Sequence, residues 1–191
     1  PRLDLPADRP RPPVISYRGA NRSRLLNPAL AAQVRGLART QQATLFITLL
    51  AAFKVLLYKL SGETDLVVGT PIAGRRDPAL EGLIGFFVNT LVLRGNLAGD
   101  PSFADCLERV RAQALQAYEH QRVPFERLVE VINPQRSLSR HPLFQVMLAF
   151  QNNAAVELEL DGVSASFEPV ASQTSKFDLA LSLLETRGAD G

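Results

Sequence analysis

Between Thr44 and Leu60 the chain reads TLFITLLAAFKVLLYKL, with apolar side chains on nearly every side of a helix. Such a helix has no face to turn to water and must be wrapped by other elements, so it is expected at the core, ending near Gly62. Lys54 interrupts the run, which is also shorter than the roughly 20 residues a bilayer span requires; no membrane partner is expected. A chain of 191 residues can bury roughly 70% of the surface its unfolded form exposes, so the fold needs neither disulfide nor metal. The single Cys106 excludes an internal disulfide framework, and no Cys/His cluster has metal-ligand spacing. A reducing, cytoplasmic setting fits best, and no stretch reads as a signal peptide.

The remaining elements follow from periodicity and punctuation. The opening PRLDLPADRPRPPVIS alternates proline with charge and reads as an extended, polyproline-like linker over residues 1–16, not as a core element. Asn27 and Pro28 are a cap and a first helical residue, and Leu30, Val34, Leu37 and Ala38 share one stripe of the helix they open. DLVVGTPI, residues 65–72, is a short buried strand, followed by a loop to about Leu83. Phe86 to Leu93, FFVNTLVL, reads as a second strand with Asn89 and Thr90 at its centre. Asp100 and Pro101 precede a helix with Phe103, Leu107, Val110, Ala114 and Ala117 on its apolar face, and Asp105 and Arg109 are spaced for an i,i+4 pair. Pro124 opens a shorter helix with Phe125, Leu128, Val129 and Ile132 inward, stopped at Asn133-Pro134. Leu143–Phe150 is a strand, Val156–Leu160 and Val163–Phe167 form a hairpin about Asp161-Gly162, and Phe177–Leu183 is a final strand. Helices interleaved with strands predict an α/β fold, a two-layer sandwich of a mixed β-sheet packed against helices.

Net charge is +2 and the isoelectric point about 9.1, but most arginines stand within three or four residues of an acid, and no basic face interleaved with aromatics marks a nucleic-acid partner. A hydrolase elbow, a Walker loop and a dinucleotide fingerprint are all absent. Gly82 and Gly85 alone are turn residues more readily than a phosphate cradle. Cys106 lies beside an apolar helical stripe and reads as a small core residue. His120 and His141 could each act as a general base, but a lone histidine at a loop edge is more often a cap or a solvated group. Asn89 is the anomaly. An amide within an apolar strand must find partners, so it is either a bracket for a neighbouring loop or a donor lining a cavity.

Three clusters then stand in order along the chain. IGFFVNT at Ile84–Thr90, preceded by GTPIAGR at Gly69–Arg75, HQRVPFE at His120–Glu126, and RSLSRHPLFQ at Arg136–Gln145 together resemble condensation domains of nonribosomal peptide synthetases. The resemblance runs from Leu5-Pro6 to about Leu183. It implies a chloramphenicol acetyltransferase-like lobe, the carboxyl-terminal of two, over residues 17–191, with residues 1–16 as the linker from the amino-terminal lobe and a last strand and helix lying beyond the chain.

The family joins an acyl or peptidyl thioester on an upstream carrier to the amine on a downstream carrier, in a tunnel between the lobes; tethering both reactants makes much of the catalysis positional. Its His-His-x-x-x-Asp-Gly motif belongs to the other lobe, and no adjacent histidine pair occurs here. The chain is therefore expected to hold no catalytic residue and to be inactive alone. No cofactor binds directly; the phosphopantetheine arms of peptidyl carrier domains enter the tunnel, and an adenylation domain is adjacent. By the same resemblance Asn89 lies near the tunnel, Gly85 allows close backbone approach, and the loop Gly74–Leu83 forms part of the floor bridging the lobes. Arg75, Pro124, Phe125, Glu126, Arg136 and Arg140 are structural. Arg122 and Ser137 stand where the family usually has Asp, which implies weaker anchoring of Arg136 or Arg140. The epimerization domain of the same assembly lines and a non-catalytic carrier-binding lobe are the alternatives. One lobe leaves a partner-facing surface open, so association through exposed apolar side chains is expected.

Overall fold

A computed structural model describes residues 2–75, 77–151, 163 and 172–185. The predicted hairpin about Asp161-Gly162 lies outside the described residues except for Val163, which is exposed. Helices α1 (Pro28–Thr40) and α2 (Leu45–Ser61) precede strand β1 (Asp65–Ile72). A 3-10 turn (Pro78–Leu80) then leads to β2 (Asn89–Asn96), α3 (Phe103–Glu119), α4 (Phe125–Ile132), β3 (Val146–Gln151) and β4 (Leu179–Leu184). The sheet order is β2-β1-β3-β4. β1 and β2 are antiparallel along their full length, Asp65 opposite Asn96 and Ile72 opposite Asn89, whereas β3 runs parallel to both β1 and β4. This is the mixed sheet packed on helices that the alternation of elements predicts.

Local chemistry sets most helix ends as read. Asn27 Oδ1 accepts from the Ala29 N–H at 2.8 Å with Pro28 behind it, Thr44 Oγ1 accepts from the Ile47 N–H at 3.2 Å, and Gly62 closes α2 in the left-handed region at φ 74°. Leu50, Ala51 and Leu57 of α2 meet Cys106, Leu107, Val110 and Ala114 of α3 over Leu66, Val68, Leu91, Leu93, Val146 and Leu148 of the sheet. The apolar run from Thr44 to Leu60 is thus the centre of the core.

Several expectations are corrected. Residues 2–16 form no helix or strand, but they are not merely a connector: Leu3 is only 4% exposed and belongs to the core cluster, its N–H bonded to Gln145 just before β3. β2 starts at Asn89, not Phe86; Phe86 stands 90% exposed in the preceding loop. β3 and β4 likewise begin three and two residues later than read, at Val146 and Leu179, since Phe144 and Phe177 pack against each other before the strands are entered. The cap of α3 is Ser102, with a reciprocal capping box to Asp105. That use of the Asp105 carboxylate replaces the predicted pair with Arg109, whose guanidinium donates instead to the Ala98 carbonyl at 3.0 Å. On α1 only Ala38 is buried, and on α4 no residue is; Ile132, read as inward, is exposed. Pro124 caps α4 from outside the helix.

Lys54 is the exception within the core. It lies on α2 with 1% of its surface exposed, its ammonium above Gly95 of β2, where any Cβ would collide with Nζ and with the Gln113 side-chain oxygen. Burial pushes its amine down to about 8. The folded state resists a proton that the unfolded chain accepts below about 10.5, so folding is penalised at neutral pH and the penalty fades as pH rises from 8 toward 10.5. Lys54→Met is expected to stabilise the chain by about 1–3 kcal/mol at pH 7, with a smaller gain at pH 9.5, read from urea midpoints at the two pH values. An equal gain at both would show that the charge is not the cause.

Candidate functional site

The three motif segments meet at one end of the sheet, and Asn89 is the first join. Its Nδ2 donates to the carbonyls of Gln121 (3.0 Å) and Val123 (2.8 Å), and its Oδ1 accepts from the N–H groups of Thr90 (2.9 Å) and Phe125 (3.1 Å). Both donors and the acceptor of the carboxamide are engaged. Pro124 has no side chain able to cap α4, so Asn89, from another element, satisfies the free N–H of Phe125 in its place. Of the two readings left open by the sequence, the contacts are those of the bracket.

Phe125 is the second join. Its ring lies 5.5 Å from that of His141 and 6.0 Å from that of Phe144, and Phe177 completes the group at 5.3 Å from His141 and 5.4 Å from Phe144. Phe144 in turn covers β1 at Gly69, where a Cβ would collide with the ring. Glycine is required there for close approach, not for its backbone angles. His141 Nδ1 is buried without a hydrogen-bond partner, and burial lowers the pKa of the ring below its ordinary 6.5. This histidine is a member of an aromatic cluster. His120 caps the far end of α3 in the open, and Cys106 is buried with its thiol pushed up by burial. The described residues contain no cluster of His, Cys, Asp and Glu able to hold a metal.

The loop between β1 and β2 is organised by Arg75. Its guanidinium donates to the carbonyls of Leu80, Leu83 (2.7 Å) and Gly85 (3.5 Å) and stacks 4.2 Å from the Phe87 ring centre. Gly74, at φ 68°, faces the Phe87 carbonyl so closely that no Cβ fits. At Gly85 an added Cβ would meet only the Phe87 ring, at 3.0 Å. Held this way, the loop presents Leu83, Ile84, Phe86 and Val88 to solvent.

Arg140, expected to be weakly anchored, is well held: it pairs with Asp4 and donates to the Leu3 carbonyl at 3.2 Å. Arg122, Glu126 and Arg136 are exposed. Gly69, Gly74, Phe144 and Gln145 are the structural residues that sequence reasoning passed over; the only signal was their place inside the motif segments.

A mixed four-stranded sheet packed on helices, with its motif segments interlocked at one end, defines a chloramphenicol acetyltransferase-like fold. Comparison with known proteins narrows this. The condensation domain profile matches residues 1–189. The isonitrile lipopeptide synthase of Mycobacterium tuberculosis is 53% identical over 184 residues, 96% of this chain and 7% of that protein. The dimodular nonribosomal peptide synthase of Bacillus subtilis is 47% identical over 189 residues, 99% of this chain and 8% of that protein. The crystal structure of the X-domain from teicoplanin biosynthesis superposes with a TM-score of 0.89 at 34% identity, covering 98% of this chain and 42% of that one. The chain belongs to the condensation domain family. It spans less than a tenth of the length of these curated relatives.

Asn89→Ala strands two carbonyls and two N–H groups, so a loss of about 2–3 kcal/mol is expected, with faster amide exchange at Phe125; Asn89→Asp keeps the acceptor but turns a carboxylate oxygen onto the two carbonyls and is expected to lose at least as much. Because the folded His141 resists protonation, stability falls as pH drops below about 6.5. Thermal melts at pH 7.5 and 5.5 are expected to show a larger fall for the native chain than for His141→Phe. Equal falls would remove His141 from the account.

Proposed function

We propose that this lobe is the carboxyl-terminal half of a condensation domain that forms amide bonds between carrier-tethered acyl or peptidyl and aminoacyl thioesters in nonribosomal peptide biosynthesis. The observation that carries the reading is the family match along residues 1–189. In this reading the partner lobe brings the His-His-x-x-x-Asp-Gly motif and the base that assists the amine. This lobe brings tunnel wall and carrier-docking surface and is inactive alone. The phosphopantetheine arms of the upstream and downstream peptidyl carriers are the groups admitted, an adenylation domain is the neighbour, and the cytoplasm is the setting. Among the described residues no single helix is long and apolar enough to cross a membrane.

The anchored loop supports the same reading. Ile84 and Phe86 are almost wholly exposed on a segment that Arg75 and Gly74 hold in one shape, and apolar side chains fixed in that way suit a surface that covers them. The floor bridging the lobes therefore extends past Leu83 to Val88. Asn89 borders the tunnel as a bracket, with its amide already occupied, and Gly85 leaves the loop edge thin.

Reconstitution tests the proposal. The purified lobe is mixed with the matching amino-terminal lobe and both loaded carriers, and amide product is followed by mass spectrometry with each component omitted in turn. Product only in the complete mixture is expected; a stably associated pair that makes none overturns the reading. Ile84→Asp with Phe86→Asp is expected to weaken association of the two lobes at least about tenfold while leaving the melting temperature of this lobe unchanged.

A further inference from the structure

Residues 2–16 form no helix or strand, yet they are tied to the lobe at four points. The Leu3 N–H donates to Gln145 Oε1 at 3.3 Å, and the Leu3 carbonyl and the Asp4 carboxylate both accept from Arg140. Arg11 donates to the Ser139 carbonyl at 3.1 Å and grips Asp178 with both terminal nitrogens. The Ile15 N–H donates to the Leu138 carbonyl at 2.8 Å. Among the described residues, every group that does the holding apart from Asp178 lies between Leu138 and Gln145, within the third motif. Paired guanidinium–carboxylate contacts fix angle as well as distance. The Arg140 side chain is only 11% exposed although its partner Asp4 is 61% exposed, and those of Arg11 and Asp178 are 29% and 21% exposed, so the arginine of each pair is drawn partly out of water. The same segment supplies His141 and Phe144 to the aromatic cluster, which leads through Phe125 and Asn89 to the loop that ends at Val88.

We infer that the segment Leu138–Gln145 is a clamp that fixes the course of residues 3–15, and that Arg140, Gln145, Arg11 and Asp178 are positioning residues for amide formation. They set how the chain enters this lobe and so the angle at which the other lobe meets it. The inference rests on the proposed reading, in which residues 1–16 join the two lobes. The clamp also explains how Arg140 is anchored although Ser137 replaces the acid expected nearby: Asp4, on the strap itself, is its carboxylate.

Two measurements test it. In the isolated chain, Arg140→Gln and Asp178→Asn are expected to raise amide exchange at Leu3 and Ile15 at least about tenfold with little change at Val68 or Val110 in the core. Unchanged exchange at Leu3 and Ile15 overturns the clamp. In the two-lobed domain the same substitutions are expected to lower kcat for amide formation about tenfold or more with little change in the apparent KM for either loaded carrier. The charge exchange Arg11→Asp with Asp178→Arg is expected to recover much of the rate lost in Asp178→Asn. Faster exchange with an unaltered kcat overturns the positioning role and leaves the proposed function standing. A native two-lobed domain that makes no amide removes both.

Discussion

The carboxamide of Asn89 is the contact on which the rest of the site depends. It stands at the first residue of β2, and with four hydrogen bonds it ends one loop, holds the turn before α4 and caps that helix from outside. Proline at the helix entrance fixes the backbone angle but leaves the next N–H without a partner. A side chain from elsewhere must supply one, and the shape of Asn, with two donors and an acceptor on one plane, meets that need. Once Phe125 is placed by this bond, its ring can rest against His141 and Phe144. Phe144 can lie flat on β1 only because residue 69 has no side chain. The three motifs are therefore joined to one another, the first holding the apolar loop through Arg75 and Gly74 and the third contacting residues 3–15 through Leu138–Gln145.

Among the described residues, Lys54 and His141 oppose folding at neutral to acid pH. Both are ionisable side chains in places that favour their neutral forms, and each makes folding weaker over its own range of pH. The carboxylates act the other way: Asp4 is held below its ordinary range by Arg140, and Asp65 by Arg94. Their contribution is present above the unfolded carboxylate pKa near 3.8 and is lost as pH falls through the lowered folded values. The result is a lobe whose stability at neutral pH comes mainly from the apolar layer between α2, α3 and the sheet, with charges that add direction more than strength.

Much of the fold was legible because the signals are local. Asn27-Pro28, Thr44 and Gly62 mark helix ends through bonds to groups two to four residues away, and the β1 run is bounded as its β-branched residues indicate. Errors arose where a competing partner, near or far in the chain, decided the outcome. Phe86 and Phe87 have the composition of a strand, but Arg75 captures the loop carbonyls and Phe87 before any ladder can form. Asp105 has the spacing to reach Arg109 and is taken by Ser102 instead. Leu3 sits in a proline-rich, charged stretch that carries no helical or strand period, and it joins the core beside Gln145, far along the chain.

By itself the sequence determined most of the helices and strands among the described residues, and that α2 lies at the centre, because periodicity, caps and residue type act over a few positions. Tertiary structure alone decided that Asn89 is fully occupied, that Phe144 needs Gly69, and that Arg140 finds its acid on the strap at Asp4. Those contacts join residues about 35 to 140 positions apart. They depend on the angle at which β1, α4 and the third motif meet, which no local preference contains.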